Sequence, residues 1–186
     1  MPDRQEVLSA LYGAYRLAWF DVAGMTYFNL TVDGFWRSFF AAVLVAPAYA
    51  VLVGMQVASG DEPVNPALLL LTESIGYVLA WGAFPLIAIV LTRLLGLGRN
   101  YVALIVALNW TAVLQTALFL AVVLLGPLLP EVLGTLAITL TTGAILVYQW
   151  FVIRTALATT GGVALMLLLV DLIITSIINM GADRVF

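Results

Sequence analysis

Five long apolar stretches constrain this chain more than any other feature. They are Phe35–Ala58, Ala67–Thr92, Val102–Gly126, Leu133–Thr155 and Thr160–Gly181. About 20 apolar residues in a helix cross the hydrocarbon layer of a bilayer, with a range of roughly 17–25. Lipid offers no hydrogen-bonding partner to an open backbone, so stretches of this kind fold as helices. The breaks between them carry turn chemistry: Asp61-Glu62-Pro63-Val64-Asn65-Pro66, Gly96-Leu97-Gly98-Arg99-Asn100, Gly126-Pro127 with Pro130-Glu131, and Thr159-Thr160-Gly161-Gly162. A single overlong helix across Pro127 and Pro130 is excluded, because two interior prolines would break it.

The expected fold is therefore all-α: a polytopic membrane helical bundle of five transmembrane helices, preceded by an N-terminal amphipathic interfacial helix. Composition agrees. Of 186 residues, 64% are hydrophobic and 9% charged, against roughly 45–50% and about 25% in soluble domains. A water-soluble globule of this size lacks the interior to hide so much apolar surface. The chain divides into an N-terminal segment (1–34), a five-helix transmembrane domain (35–181) and a short tail (182–186).

The first 20 residues mix Asp3, Arg4, Glu6 and Arg16 with apolar residues, which is unlike the continuous apolar core of a cleavable signal. Val7, Leu8, Leu11, Tyr12, Tyr15, Ala18 and Trp19 recur at helical spacing. That pattern suits a short helix lying on the membrane surface, with its Trp and Tyr at the headgroups. A helix packed against the bundle's own loops is the alternative.

Orientation follows from arginine, since short cytoplasmic loops retain Lys and Arg. Arg4, Arg16 and Arg37 precede or open the first span, Arg93 and Arg99 follow the second, and Arg154 closes the fourth. Only Arg184 falls on the other side. The expected N-terminus is cytoplasmic and the C-terminus is outside.

Polar groups inside the bilayer are costly and mark functional candidates. Asp171 lies near the middle of the fifth span, with Thr175 and Asn179 following on the same helical face. Glu73 lies in the outer half of the second span, with Tyr77 one turn below it. Thr135, Thr139, Thr142 and Gln149 form a stripe on the fourth span, and Gln115 shares the depth of Asp171. A polar cavity lined by Glu73, Thr139, Thr175 and Asn179 is geometrically possible. Against it stands ordinary helix-to-helix hydrogen bonding, worth about 0.6 kcal/mol per contact in membranes.

Ala42, Ala46, Ala50 and Gly54 place a small residue at every fourth position of the first span, and Gly76 and Ala80 repeat this in the second. Such stripes let helix backbones approach closely, within one chain or between copies. Pro47 and Pro85 are expected to kink their helices. Aromatic residues (Phe35, Trp36, Phe39, Phe40, Tyr101, Tyr148, Trp150, Phe151) gather at the cytoplasmic edge as a belt.

Catalytic signatures are missing. The chain has no Cys, no His and no Lys, which removes thiolate, imidazole and Schiff-base chemistry and the usual zinc and haem ligands. No cofactor or metal is expected. The net charge of -3 leaves no polycationic face for nucleic acid.

Ser74-Ile75-Gly76-Tyr77, Pro85-Leu86 and the loop Arg93-Leu94-Leu95-Gly96-Leu97-Gly98-Arg99-Asn100-Tyr101 carry a family likeness. Over residues 34–181 the chain resembles the Yip1 family of small multi-pass membrane proteins. Bacterial members have a similar Gly-rich inner loop, and eukaryotic members a similar Gly-Tyr pair within a span. The Asp-Leu-Tyr-Gly-Pro segment of eukaryotic members is absent. The resemblance carries over no catalytic residues, and the expected location is a bacterial inner membrane. In eukaryotes it implies membrane organisation and interaction with trafficking GTPases.

The expected function is a non-enzymatic scaffold, membrane-organising or partner-binding protein. Its expected partners are the lipid bilayer, other membrane proteins or further copies of itself. The alternative is a small oligomeric transporter or channel that uses Glu73 and Asp171. A membrane-embedded lipid enzyme ranks last, for want of a nucleophile–base or metal pair. The topology has a direct test. A reporter active only outside the cytoplasm should stay silent when fused within Gly96–Asn100, and activity there would invert the orientation.

Overall fold

With the bilayer denying the backbone other partners, helix is the only economical state for most of this chain. The computed structural model, which describes residues 1–58 and 65–183, contains no strand among the described residues. The elements are α1 (Arg4–Ala18), a 3-10 turn (Val22–Tyr27), α2 (Val32–Ser38), α3 (Phe40–Ala58), α4 (Pro66–Leu94), α5 (Tyr101–Leu125), α6 (Glu131–Leu157) and α7 (Gly161–Asp183). Among the described residues five segments are long and apolar enough to cross a membrane: α2 with α3, then α4, α5, α6 and α7. The protein is an all-α, multi-pass membrane protein. Residues 61–64 of the first predicted turn, and Arg184 in the tail, lie outside the described residues.

Local chemistry sets the helix ends. Asn65 accepts the backbone N–H of Ala67 at 3.0 Å and Pro66 opens α4, so that helix starts at a proline suited to its first turn. The Thr31 hydroxyl accepts from Gly34 at 3.0 Å and starts α2 ahead of the predicted span. α2 and α3 part at Phe39, where one continuous helix was expected. α6 ends where Ala158 turns left-handed (φ 49°). Pro47 and Pro85 sit inside α3 and α4, both of which continue past them.

The N-terminal segment docks on the bundle by a face that apolar periodicity does not reveal. The buried side of α1 is Ala10, Gly13, Ala14 and Leu17, while Leu8, Tyr12, Tyr15 and Trp19 are exposed. Backbones explain the choice. A Cβ on Gly13 would stand 2.7 Å from the Gly24 carbonyl oxygen, and one on Gly24 would stand 2.6 Å from that of Gly13. The small face lets α1 and the 3-10 turn cross in contact, and the large aromatic side chains are left outside. α1 thus packs on the rest of the chain by its small face and leaves its aromatic face exposed. The Tyr148 hydroxyl of α6 then donates to the Ala14 carbonyl at 2.6 Å.

Two ion pairs tie this cap together. Arg16 Nε donates to Asp21 Oδ2 at 2.6 Å, and Arg37 reaches Glu6 at 2.9 Å. The Ala23 backbone N–H and then the Arg16 guanidinium hold the Asp21 carboxyl below the usual carboxylate range.

α5 is the hub: α1, α2, α3 and α6 all pack along it, α7 packs on α6, and α4 packs on α7. The spans thus run around an axis in the order α3, α5, α6, α7, α4. The core is concentrated at the end of the bundle that carries the N-terminal segment. It takes α3 at Ala41 and Val45, α4 at Phe84 and Ala88, α5 over Leu104–Ala107, α6 over Phe151–Ile153 and α7 at Ala164 and Leu167. The opposite half contributes little buried apolar surface.

Gly24→Val should overpack the α1 crossing, at a cost of about 1–3 kcal/mol. The detergent-purified variant should melt several degrees lower. Gly54→Ala, where a Cβ meets nothing within 4 Å, should not lower Tm.

Candidate intramembrane polar site

α6 and α7 are antiparallel neighbours joined by a short turn, so residues equally far from that turn share a depth. Gln149 lies about 12 Å back from the end of α6, and Asp171 about 15 Å into α7, at 1.5 Å per residue. They meet: Gln149 Nε2 donates to Asp171 Oδ2 at 2.6 Å. The pair faces a cavity of about 360 Å³ to which all five spans contribute.

Its polar lining comes from Tyr49 on α3, Tyr77 on α4, Gln115 and Thr116 on α5, Gln149 on α6, and Asp171 and Thr175 on α7. Phe84, Pro85 and Ile105 border it on the side of the packed core. Asn109 also borders it, but its amide is committed, donating to Ser38 Oγ at 2.8 Å. The Gln115 amide nitrogen is buried with no hydrogen-bond partner among the described residues. Among the described residues no arginine lines the cavity.

Glu73 occupies a second place. It accepts from the Tyr49 hydroxyl at 2.6 Å and borders an apolar groove of about 540 Å³ between α3 and α4. The Tyr49 and Tyr77 rings lie 4.8 Å apart at 39° and stand between this groove and the cavity, lining both. Tyr77 is fixed by donating to the Ala42 carbonyl at 2.6 Å, and Trp81 lies 6.2 Å beyond it, on the cavity wall.

Of the residues expected at a polar site, Tyr77, Gln115, Asp171 and Thr175 come together on the cavity, and Glu73 lies behind the tyrosine pair. Thr139 does not join them: it is exposed, and its hydroxyl donates back to the Thr135 carbonyl at 2.9 Å. Asn179 is exposed and lies beyond the cavity lining. The stripe Thr135–Thr142–Gln149 keeps one face of α6, but only Gln149 sits where the bundle is closed enough for that face to be interior.

Tyr49, Asn109 and Thr116 were not anticipated. Tyr49 had a usable signal. It lies nine residues before the end of α3, and Glu73 seven residues after the start of α4, so the two share a depth.

The stripe Ala42, Ala46, Ala50 and Gly54 does not seat a helix of this chain. Ala46, Ala50 and Gly54 line the groove, and among the described residues nothing lies within 4 Å of a Cβ built on Gly54. A Cβ on Gly76 would meet Ile178 of α7 at 4.0 Å, an ordinary packing contact. The chain matches no family model, no curated protein and no solved structure.

The arrangement offers an acceptor at Asp171 and aromatic faces at Tyr49, Tyr77 and Trp81. Unpaired, the buried Gln115 amide costs about 1–3 kcal/mol. Gln115→Leu should therefore leave Tm unchanged or raise it. Asp171→Leu should lower Tm, because it strips Gln149 of its acceptor.

Proposed function

We propose that the protein is a non-enzymatic, small solute-binding transporter that takes a small organic cation into its central cavity. The carrying observation is that cavity: all five spans line it, with the Asp171 carboxyl and, among the described residues, an unpartnered Gln115 amide and no basic side chain. Polar groups at this depth are expensive and are kept at substrate and ion pathways. About 360 Å³ falls within the usual range of small-ligand sites, roughly 300–1,000 Å³. Carboxylate and aromatic faces together recognise ammonium groups, the former by charge and the latter through the ring quadrupole.

The packing polarity supports a direction of access. Arg16 belongs to the cap on the packed end, and Arg93, Arg99 and Arg154 lie at or beyond helix ends on the same side. By the arginine rule that end is cytoplasmic, in a bacterial inner membrane, and the cavity lies towards the looser outer half. Five spans are few for a monomeric permease, so the reading includes self-association. The scaffold reading implied by the Yip1 resemblance would place function on a partner surface and leave the cavity idle.

Purified protein in vesicles should bind radiolabelled tetramethylammonium saturably, and Asp171→Asn should weaken binding at least tenfold. Absence of saturable binding, with a membrane partner co-purifying instead, would favour the scaffold.

A further inference from the structure

The spans close a ring except between α3 and α4. α3 packs on α5 and α4 on α7, and the two bridge to each other through long side chains, Tyr49 to Glu73 and Tyr77 to the Ala42 carbonyl. The gap is the 540 Å³ groove. Its walls are small or apolar: Ala46, Ala50, Val53 and Gly54 on one side, Leu69 and Leu70 on the other. From Ala46 to Gly54 it runs about 12 Å along α3, at 1.5 Å per residue. Ala50, Gly54, Leu70 and Ser74 are exposed, so the groove opens on the flank of the bundle, which faces lipid.

At its inner edge lies Glu73, then the tyrosine pair, then the cavity with Asp171. Among the described residues neither space has a basic residue in its lining. We infer that the cation enters from the bilayer as the head of a single-chain amphiphile, its tail lying in the α3–α4 groove and its ammonium group passing Tyr49 and Tyr77 to the cavity. This rests on the cavity reading above and adds to it a substrate class and an entry side.

The apolar groove suits a tail, which gains close packing against small residues where no helix seats. The two carboxyl groups suit a positive head at both ends of the short inward path. The facing tyrosine rings attract an ammonium while it is out of water. An acidic lipid head would meet two carboxyl groups and, among the described residues, no arginine.

The test uses full-length protein in vesicles of phosphatidylethanolamine and phosphatidylglycerol. The probes are a long-chain trimethylammonium amphiphile with a diazirine near its tail end, and an alcohol bearing the same tail. After illumination, adducts of the ammonium probe should concentrate on residues 46–54 and 66–74. Adducts of the alcohol should be at least fivefold fewer. Ala50→Trp and, independently, Gly54→Phe should cut ammonium labelling by at least fivefold while tetramethylammonium binding persists. Each variant is checked for monodisperse elution.

Labelling spread evenly over the lipid-facing helices, or unmoved by both variants, overturns the groove while tetramethylammonium binding still upholds the cavity. Equal labelling by the alcohol overturns the charged head. Loss of tetramethylammonium binding from the unaltered protein overturns the cavity reading itself, and the inference with it.

Discussion

The rest of the structure depends on the packing of other helices against one half of α5. Leu104, Ile105, Val106, Ala107, Trp110 and Thr111 are buried there. α1, α2, α3 and α6 pack on that region with small residues buried, among them Ala14, Ser38, Ala41 and Ala156. In lipid, apolar side chains gain little by leaving hydrocarbon for protein, so close fit carries most of the association. The N-terminal segment adds to it from outside the spans. Where these contacts end, roughly half-way along the bundle, the helices separate, and the cavity and the groove begin.

Polar side chains in the membrane follow a second rule that makes the exception informative. Asn109 has Ser38, Gln149 has Asp171, Glu73 has Tyr49, and Tyr77 has the Ala42 carbonyl. Thr92, Thr139 and Thr142 bond back to carbonyls one turn earlier. Each costs little, because a partner removes the desolvation penalty of a buried polar group. Gln115 breaks the pattern among the described residues, and it lines the same cavity as Asp171, to which all five spans contribute. A chain selected only for packing would gain by placing leucine there.

The spans were readable from sequence because length and apolar content alone decide them, and observed ends lie within a few residues of those expected. The Phe35 start moved to Val32 since Thr31, a capping residue, comes before the apolar run. The docking face of α1 was not readable. Counting large apolar residues selects Tyr12, Tyr15 and Trp19, whereas the contact selects Gly13 and Ala14, which carry almost no hydropathy signal. The polar site was readable in depth but not in azimuth. Helical rise places Gln115 and Asp171 on one level, and that holds for Glu73 and Tyr49 too. Which side of the tyrosine pair Glu73 occupies depends on which helices are neighbours, and a single sequence does not encode that in any local pattern. Thr139 failed for a related reason: its face is interior only where the bundle is closed.

The two halves of the bundle thus carry opposing demands. A cavity lined by amides and a carboxyl destabilises, since each polar group is desolvated and one amide is left unpaired. A loose half also loses the packing on which helix association in lipid relies. The chain offsets both at the other end, with backbone contact between Gly13 and Gly24, the Tyr148–Ala14 bond and the α5 hub. Rigidity there fixes the starting directions of the spans. Divergence beyond it then sets the width of the α3–α4 gap. Tyr49 and Tyr77 are the point where the two regimes meet: each is held by a hydrogen bond to the opposite helix, and neither is locked by surrounding core. A partition built in this way can yield by side-chain rotation, leaving the packed half undisturbed.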